Sequence, residues 1–183
     1  MKKKLALASI LLLPFIFLLY MLFVVEVEDP IKYIYTITGA TALMLLYITT
    51  IISMLKKAIN LVKYRRMVGL FSFFYALLHM INFVVLDMEL DAASVISETL
   101  KRPFIYLGTI SFLLLVFMSI TSTKKLFPKF YKYHKVIYIS IILSSVHFVM
   151  AQKALSVEQW VYLSIMPIVL VFKLLQRTKI IHI

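Results

Sequence analysis

The sequence predicts an all-α integral membrane protein, a six-transmembrane-helix bundle with both termini cytoplasmic. Three observations predict it. The 183 residues are 63% hydrophobic and 15% charged, whereas a soluble domain carries about 25% charged residues. Apolar runs long enough to cross a bilayer, roughly 20 residues at about 1.5 Å each, occur six times. Between those runs the cations gather on every second connection. Composition excludes a soluble enzyme. The absence of Cys excludes disulfides, thiolate metal sites and cysteine nucleophiles.

The six predicted spans cover residues 5–25, 33–53, 67–86, 103–122, 136–151 and 157–175. The first follows MKKK and imitates a signal peptide, but its apolar length exceeds the roughly 7–15 residues of a signal core and no small-x-small site precedes Glu26. It reads as an uncleaved anchor. The fifth is short unless the stretch from Tyr131 adds a turn. Pro14 and Pro167 predict kinks in the first and last spans. Gly39, Gly69 and Gly108 lie singly in or at the end of spans, so they form no phosphate loop and instead predict close helix approach. Connections of roughly 5–20 residues leave a single transmembrane domain over residues 1–183. Any soluble redox or nucleotide-binding module must then be a separate protein.

Charge orients the bundle. Segments 2–4, 56–66, 124–135 and 173–179 hold sixteen Lys and Arg and no acid; the remaining connections hold Lys32, Lys101, Arg102 and Lys153 with all eight acids. By the positive-inside rule the first set is cytoplasmic. The net charge of +12 therefore records membrane orientation rather than affinity for nucleic acid, which would need cations on one folded face.

Ionisable residues at bilayer depth are costly, and each is a candidate for function. His79 lies about 12 residues past the start of the third span and His147 about 11 past the start of the fifth. Those spans run in the same direction, so both imidazoles sit roughly 16–18 Å from the inner boundary. Two imidazoles at one depth are what axial ligation of a single haem requires. The alternative is a pair of neutral histidines hydrogen-bonded to backbone or to Ser144 and Ser145. Zinc lacks a third ligand at that depth. His134 precedes His147 by 13 residues and would point about 140° away on an ideal helix, so a shared inward face needs a wide turn or a helix that becomes regular only after His134. Arg65, Arg66, Lys132, Tyr133 and His134 outline a cationic inner pocket for an anionic planar cofactor such as a flavin phosphate, or for a second haem. Those charges could equally do no more than anchor the topology. Arg102 is placed to neutralise a haem propionate on the outer side. His182 has no assigned role. A non-redox transporter would need a polar or acidic midplane site, and no Asp or Glu lies there.

The stretches ITGATAL, RRMVGLFSFFYALLHMINF, KRPFIYLGTISFLLLVFMSITSTKKLF and KFYKYHKVIYISIILSSVHF resemble the MsrQ (YedZ) family over about residues 32–160. That family is the haem-binding membrane subunit of a bacterial methionine sulfoxide reductase system, related to the ferric reductase and NADPH oxidase transmembrane domain. Two features depart from its pattern: Thr41 stands where members usually carry Trp, and TIISMLKK replaces a TP motif. The resemblance implies that His79 and His147 ligate haem b and that His134 belongs to an inner redox site, as a further ligand or a cofactor contact. It also implies FMN at the inner side and electrons from a cytosolic flavin reductase or from quinol. Delivery would be to the periplasmic molybdopterin subunit MsrP. The implied location is the bacterial inner membrane. The alternative activity is a ferric- or oxygen-reducing oxidase that uses the same haem.

Overall fold

A computed structural model describes residues 2–55, 61–152 and 154–178. Lys56, Lys57, Lys153, Lys179 and His182 lie outside the described residues. The described residues form helices with no strand. Six helices are long and apolar enough to cross a membrane: α1 (Lys2–Val25), α2 (Pro30–Met54), α3 (Val62–Asp87), α5 (Pro103–Thr121), α6 (Phe127–Ala151) and α7 (Val157–Gln176). They match the six predicted spans in order. A short amphipathic helix, α4 (Ala92–Lys101), occupies the connection between α3 and α5 and was not expected from the sequence.

Local chemistry starts these helices where they start. Asp29 caps α2 by accepting from the Lys32 N–H at 3.0 Å, with Pro30 at the first helical position. Asp91 caps α4 through the Ala93 and Ser94 N–H groups. Pro103 opens α5. α6 begins with one α turn, passes through a 3₁₀ segment at Tyr131–Val136, and becomes regular only from Ile137. This fulfils the geometric condition for His134 and His147 to share a face, and it supplies the turns that lengthen the fifth span. α7 breaks at Ser164, between Val157–Leu163 and Ile165–Arg177. Pro167 explains the break, because it offers no N–H to the Leu163 carbonyl four residues earlier and its ring crowds that carbonyl.

Two helix pairs build the bundle, α2 with α3 and α5 with α6, joined by contacts between α3 and α5. The core follows that arrangement: Leu46, Tyr47, Leu115, Met118 and Ile141 meet in one cluster, and Leu11, Ala42, Leu45, Val68 and Tyr75 in another. Buried hydroxyls close the seams. Ser72 donates to the Ala42 carbonyl at 2.8 Å, Ser111 meets Ser140 at 2.8 Å, and Tyr47 meets Ser145 at 2.7 Å. Small polar residues of this kind let helices approach closely in lipid and bond across the gap.

Tyr75 fastens α1 to α3. Its hydroxyl donates to the Leu11 carbonyl at 2.7 Å and accepts from the Phe15 N–H at 3.1 Å. Those two groups are i, i+4 partners in a helix, so the side chain enters the ladder beside Pro14, where α1 is already weakened. Tyr75→Phe is expected to lower the thermal midpoint in detergent, with about 1–3 kcal/mol lost by leaving buried polar groups short of a partner. An unchanged midpoint would mean that α1 repairs its own ladder.

Candidate functional site

His79 and His147 face each other across the bundle, with ring centroids 6.0 Å apart and planes at 87°. Their equal depth, read from residue counts, thus brings them into one site. Each ring is half-buried, and each has one nitrogen committed.

His147 Nδ1 donates to the Phe104 carbonyl at 2.6 Å, because a carbonyl can only accept. His79 Nδ1 lies 3.3 Å from Thr38 Oγ1. The Thr38 hydroxyl spends its own hydrogen on the Ile34 carbonyl, so it accepts the His79 Nδ1–H. Both histidines therefore hold their proton on Nδ1 and leave the Nε2 lone pair free. A second hydrogen bond that fixes the tautomer is how metal-ligating histidines are oriented. Ser144 and Ser145, the alternative partners for His147, are engaged elsewhere: Ser144 with Ser111 at 2.6 Å, and Ser145 with Tyr47.

The donor set indicates what these nitrogens can hold. Among the described residues no group of three or more His, Cys, Asp or Glu could hold a metal ion. A bare cation would lack ligands here. A macrocycle that brings its own in-plane nitrogens needs only one protein donor per face, and two facing imidazoles provide that. Asn82, one turn beyond His79, donates to the Ile31 carbonyl at 3.0 Å, while its Oδ1 is buried without a partner. The residues present fit a haem.

A second site lies toward the basic end. A cavity of about 410 Å³ is lined by Arg65, Arg66, Lys124 and His134, with Phe73, Leu115, Met118 and Phe127 among its apolar walls. Of the residues expected at an inner pocket, Arg65, Arg66 and His134 line this cavity. Lys132 and Tyr133 are exposed and do not line it. At three residues per turn of the 3₁₀ segment, an inward His134 forces its two predecessors outward. Lys124 takes their place from the preceding turn. Thr121 Oγ1 lies 2.9 Å from His134 Nε2 and gives its own hydrogen to the Phe117 carbonyl. His134 Nε2 is then the donor. Its free lone pair sits on Nδ1, the reverse of the other two histidines. Among the described residues the one ion pair joins Arg102 to Glu98 at 2.6 Å on the acidic end. Arg102 is thus paired within the protein, and the cavity's cations are not.

The family described as "Ferric reductase like transmembrane component" matches residues 55–145. Three proteins, from Brucella ovis, Brucella canis and Brucella melitensis, are each described as "Protein-methionine-sulfoxide reductase heme-binding subunit MsrQ". Each is 36% identical to this chain over 152 residues, 80% of this chain and 69% of the relative. The chain belongs to the MsrQ family. MsrQ membership agrees with the helical multi-pass architecture. The ferric-reductase match spans Arg65, Arg66, His79, Arg102 and His134 and ends two residues before His147. The sequence alone did not single out Thr38, Phe104 and Thr121, which hydrogen-bond His79, His147 and His134, or Tyr35, whose ring lies 5.1 Å from that of His79. For Tyr35 and Phe104 the visible signal was an aromatic residue four before a glycine on α2 and again on α5.

Proposed function

We propose that this protein is the haem b-containing transmembrane electron-transfer subunit of a bacterial methionine sulfoxide reductase system, multi-pass in the inner membrane with its basic end cytoplasmic. The observation that carries the reading is the facing pair His79 and His147, each with Nδ1 committed and Nε2 free. His79 and His147 would hold the haem, which would supply a reversible one-electron carrier. The surrounding helices hold the imidazoles in place and keep water from the ligand nitrogens.

The basic-end cavity is the entry side in this reading. Arg65, Arg66 and Lys124 bind an anionic cofactor, FMN, and His134 contributes a hydrogen-bonding wall rather than a third iron ligand. Phe73 lines the cavity and precedes His79 by six residues, about 9 Å of helix rise. A hop between the two sites is then short. Electrons enter from a cytosolic flavin reductase or from membrane quinol and leave at the acidic end to the periplasmic molybdopterin subunit MsrP. Arg102, at that exit, helps to neutralise the haem's outer carboxylates alongside its pairing with Glu98. The chain itself is a non-catalytic subunit.

Absorption spectra of the purified protein, oxidised and dithionite-reduced, test the proposal together with extracted haem and flavin ratios. A Soret band with split α and β bands on reduction is expected. A colourless protein after haem supplementation would end the reading. Stopped-flow reoxidation that is fast with MsrP and slow with ferric chelate or oxygen separates the subunit from a ferric- or oxygen-reducing oxidase.

A further inference from the structure

The two histidines are held in related ways, each by an aromatic ring and a glycine four residues apart on the facing helix. On α2, Tyr35 precedes Gly39 by four residues; on α5, Phe104 precedes Gly108 by four. On α5 the Phe104 carbonyl accepts from His147 Nδ1 at 2.6 Å, and on α2 Thr38, the residue before Gly39, accepts from His79 Nδ1 at 3.3 Å. The aromatic ring lies beside the imidazole, at 5.1 Å for Tyr35 with His79 and 5.9 Å for Phe104 with His147. The glycine lies under the imidazole. A Cβ on Gly39 would stand 2.9 Å from His79 Cε1 and 3.0 Å from its Nδ1, with Nε2 farther at 3.8 Å. A Cβ on Gly108 would stand 2.7 Å from His147 Nδ1 and 2.8 Å from its Cε1.

The register extends along both helix pairs. Three residues after each glycine come Ala42 and Ser111, and seven before each histidine come Ser72 and Ser140. Ser72 bonds the Ala42 carbonyl across 30 residues, and Ser111 bonds Ser140 across 29. The α2–α3 and α5–α6 hairpins thus present their imidazoles in the same way from opposite sides.

A physical reason links the parts. On α5 the Phe104 carbonyl already accepts the helical N–H of Gly108, and only its second lone pair is left for the His147 imidazole. Reaching it requires the ring to lie on the helix backbone, where any side chain at the glycine position would stand. We infer that Tyr35 with Gly39 and Phe104 with Gly108 are positioning residues that fix the rotation of each imidazole and turn Nε2 toward the other. The inference deepens the haem reading above and rests on it for the ligand.

The test uses the full chain in detergent with Gly39→Ala and Gly108→Ala, titrated with hemin and examined by low-temperature electron paramagnetic resonance. Affinity should fall by about 10-fold or more, the loss typical of an outer-shell partner. The fall should be larger for Gly108→Ala, whose ring is pinned by the shorter hydrogen bond. The haem that remains should show shifted g values, because those follow the mutual angle of the imidazole planes. Wild-type affinity with wild-type g values in both variants would overturn the inference. A second measurement needs no haem. Alanine is the better helix former by about 1 kcal/mol, so a lower thermal midpoint in Gly108→Ala reports a clash. That loss should vanish when His147→Ala removes the ring, since contacting residues couple and distant ones add. Persistence of the loss would place the clash elsewhere and overturn the inference. Failure of the wild type to take up hemin would overturn the haem reading alone and leave the positioning to be decided by this coupling.

Discussion

Replacement of either His79 or His147 by alanine is expected to abolish the haem spectrum, and the two variants should fail to the same degree. Losing an outer-shell partner of a metal-ligating histidine costs about 10–100-fold in affinity, and losing the ligand itself costs more. The equality is the sharper part of the expectation. Centroids at 6.0 Å with planes at 87° put both rings within reach of one centre, and the described residues supply no third donor to replace either. If only one imidazole bound iron, its variant would be colourless and the other would keep a spectrum with an altered axial ligand. Imidazole rescue sharpens the test. In His147→Gly, free imidazole can occupy the space above Gly108 and accept orientation from the Phe104 carbonyl, so added imidazole should restore the Soret band. Hemin titrations of the purified variants, with and without imidazole, measure all of this. Retention of a wild-type spectrum by either variant would remove that histidine from the site.

Much of this architecture is legible without coordinates because lipid imposes simple rules. A span must be apolar for about 20 residues, so counting finds it, and a histidine inside one is conspicuous because charge is scarce there. Depth along a helix is linear in residue number, which is why His79 and His147 could be paired from the sequence. Rotation about the helix axis is harder to read. His134 and His147 would point apart on an ideal helix, and only the 3₁₀ turns at Tyr131–Val136 bring His134 to the cavity while sending Lys132 and Tyr133 outward. The partners of each imidazole were also out of reach, since Thr38 and the Phe104 carbonyl approach from helices 41 and 43 residues away. The glycines were seen, and their close approach was expected. That the approaching object is a histidine ring rather than another helix backbone is a fact of tertiary register. α4 was missed for the opposite reason: ten residues with one apolar face are too short to register as a span and sit in a connection rich in charge.

Arg65→Gln and Arg66→Gln are each expected to weaken FMN binding by about 10- to 100-fold, corresponding to the roughly 1.5–3 kcal/mol of a hydrogen bond to a charged group. The cavity explains the size of the effect. Arg65, Arg66 and Lys124 converge on a space of about 410 Å³, and among the described residues no carboxylate pairs with them, since the one ion pair lies at Arg102 and Glu98. Clustered cations without acids repel one another, and an anion relieves that repulsion as well as forming its own bonds. The discriminating comparison is FMN against riboflavin, which share the ring system and differ in the phosphate. Wild-type protein should prefer FMN, the preference should shrink as salt rises because the half-exposed charges are screened, and both Arg variants should bind the two flavins almost equally. Fluorescence-quenching titrations at two salt concentrations provide the measurement. If the wild type bound riboflavin as tightly as FMN, the arginines would not be reading a phosphate. If it bound neither flavin while a quinol analogue displaced a probe from the cavity, the entry site would serve quinol directly and the cations would remain as topology anchors.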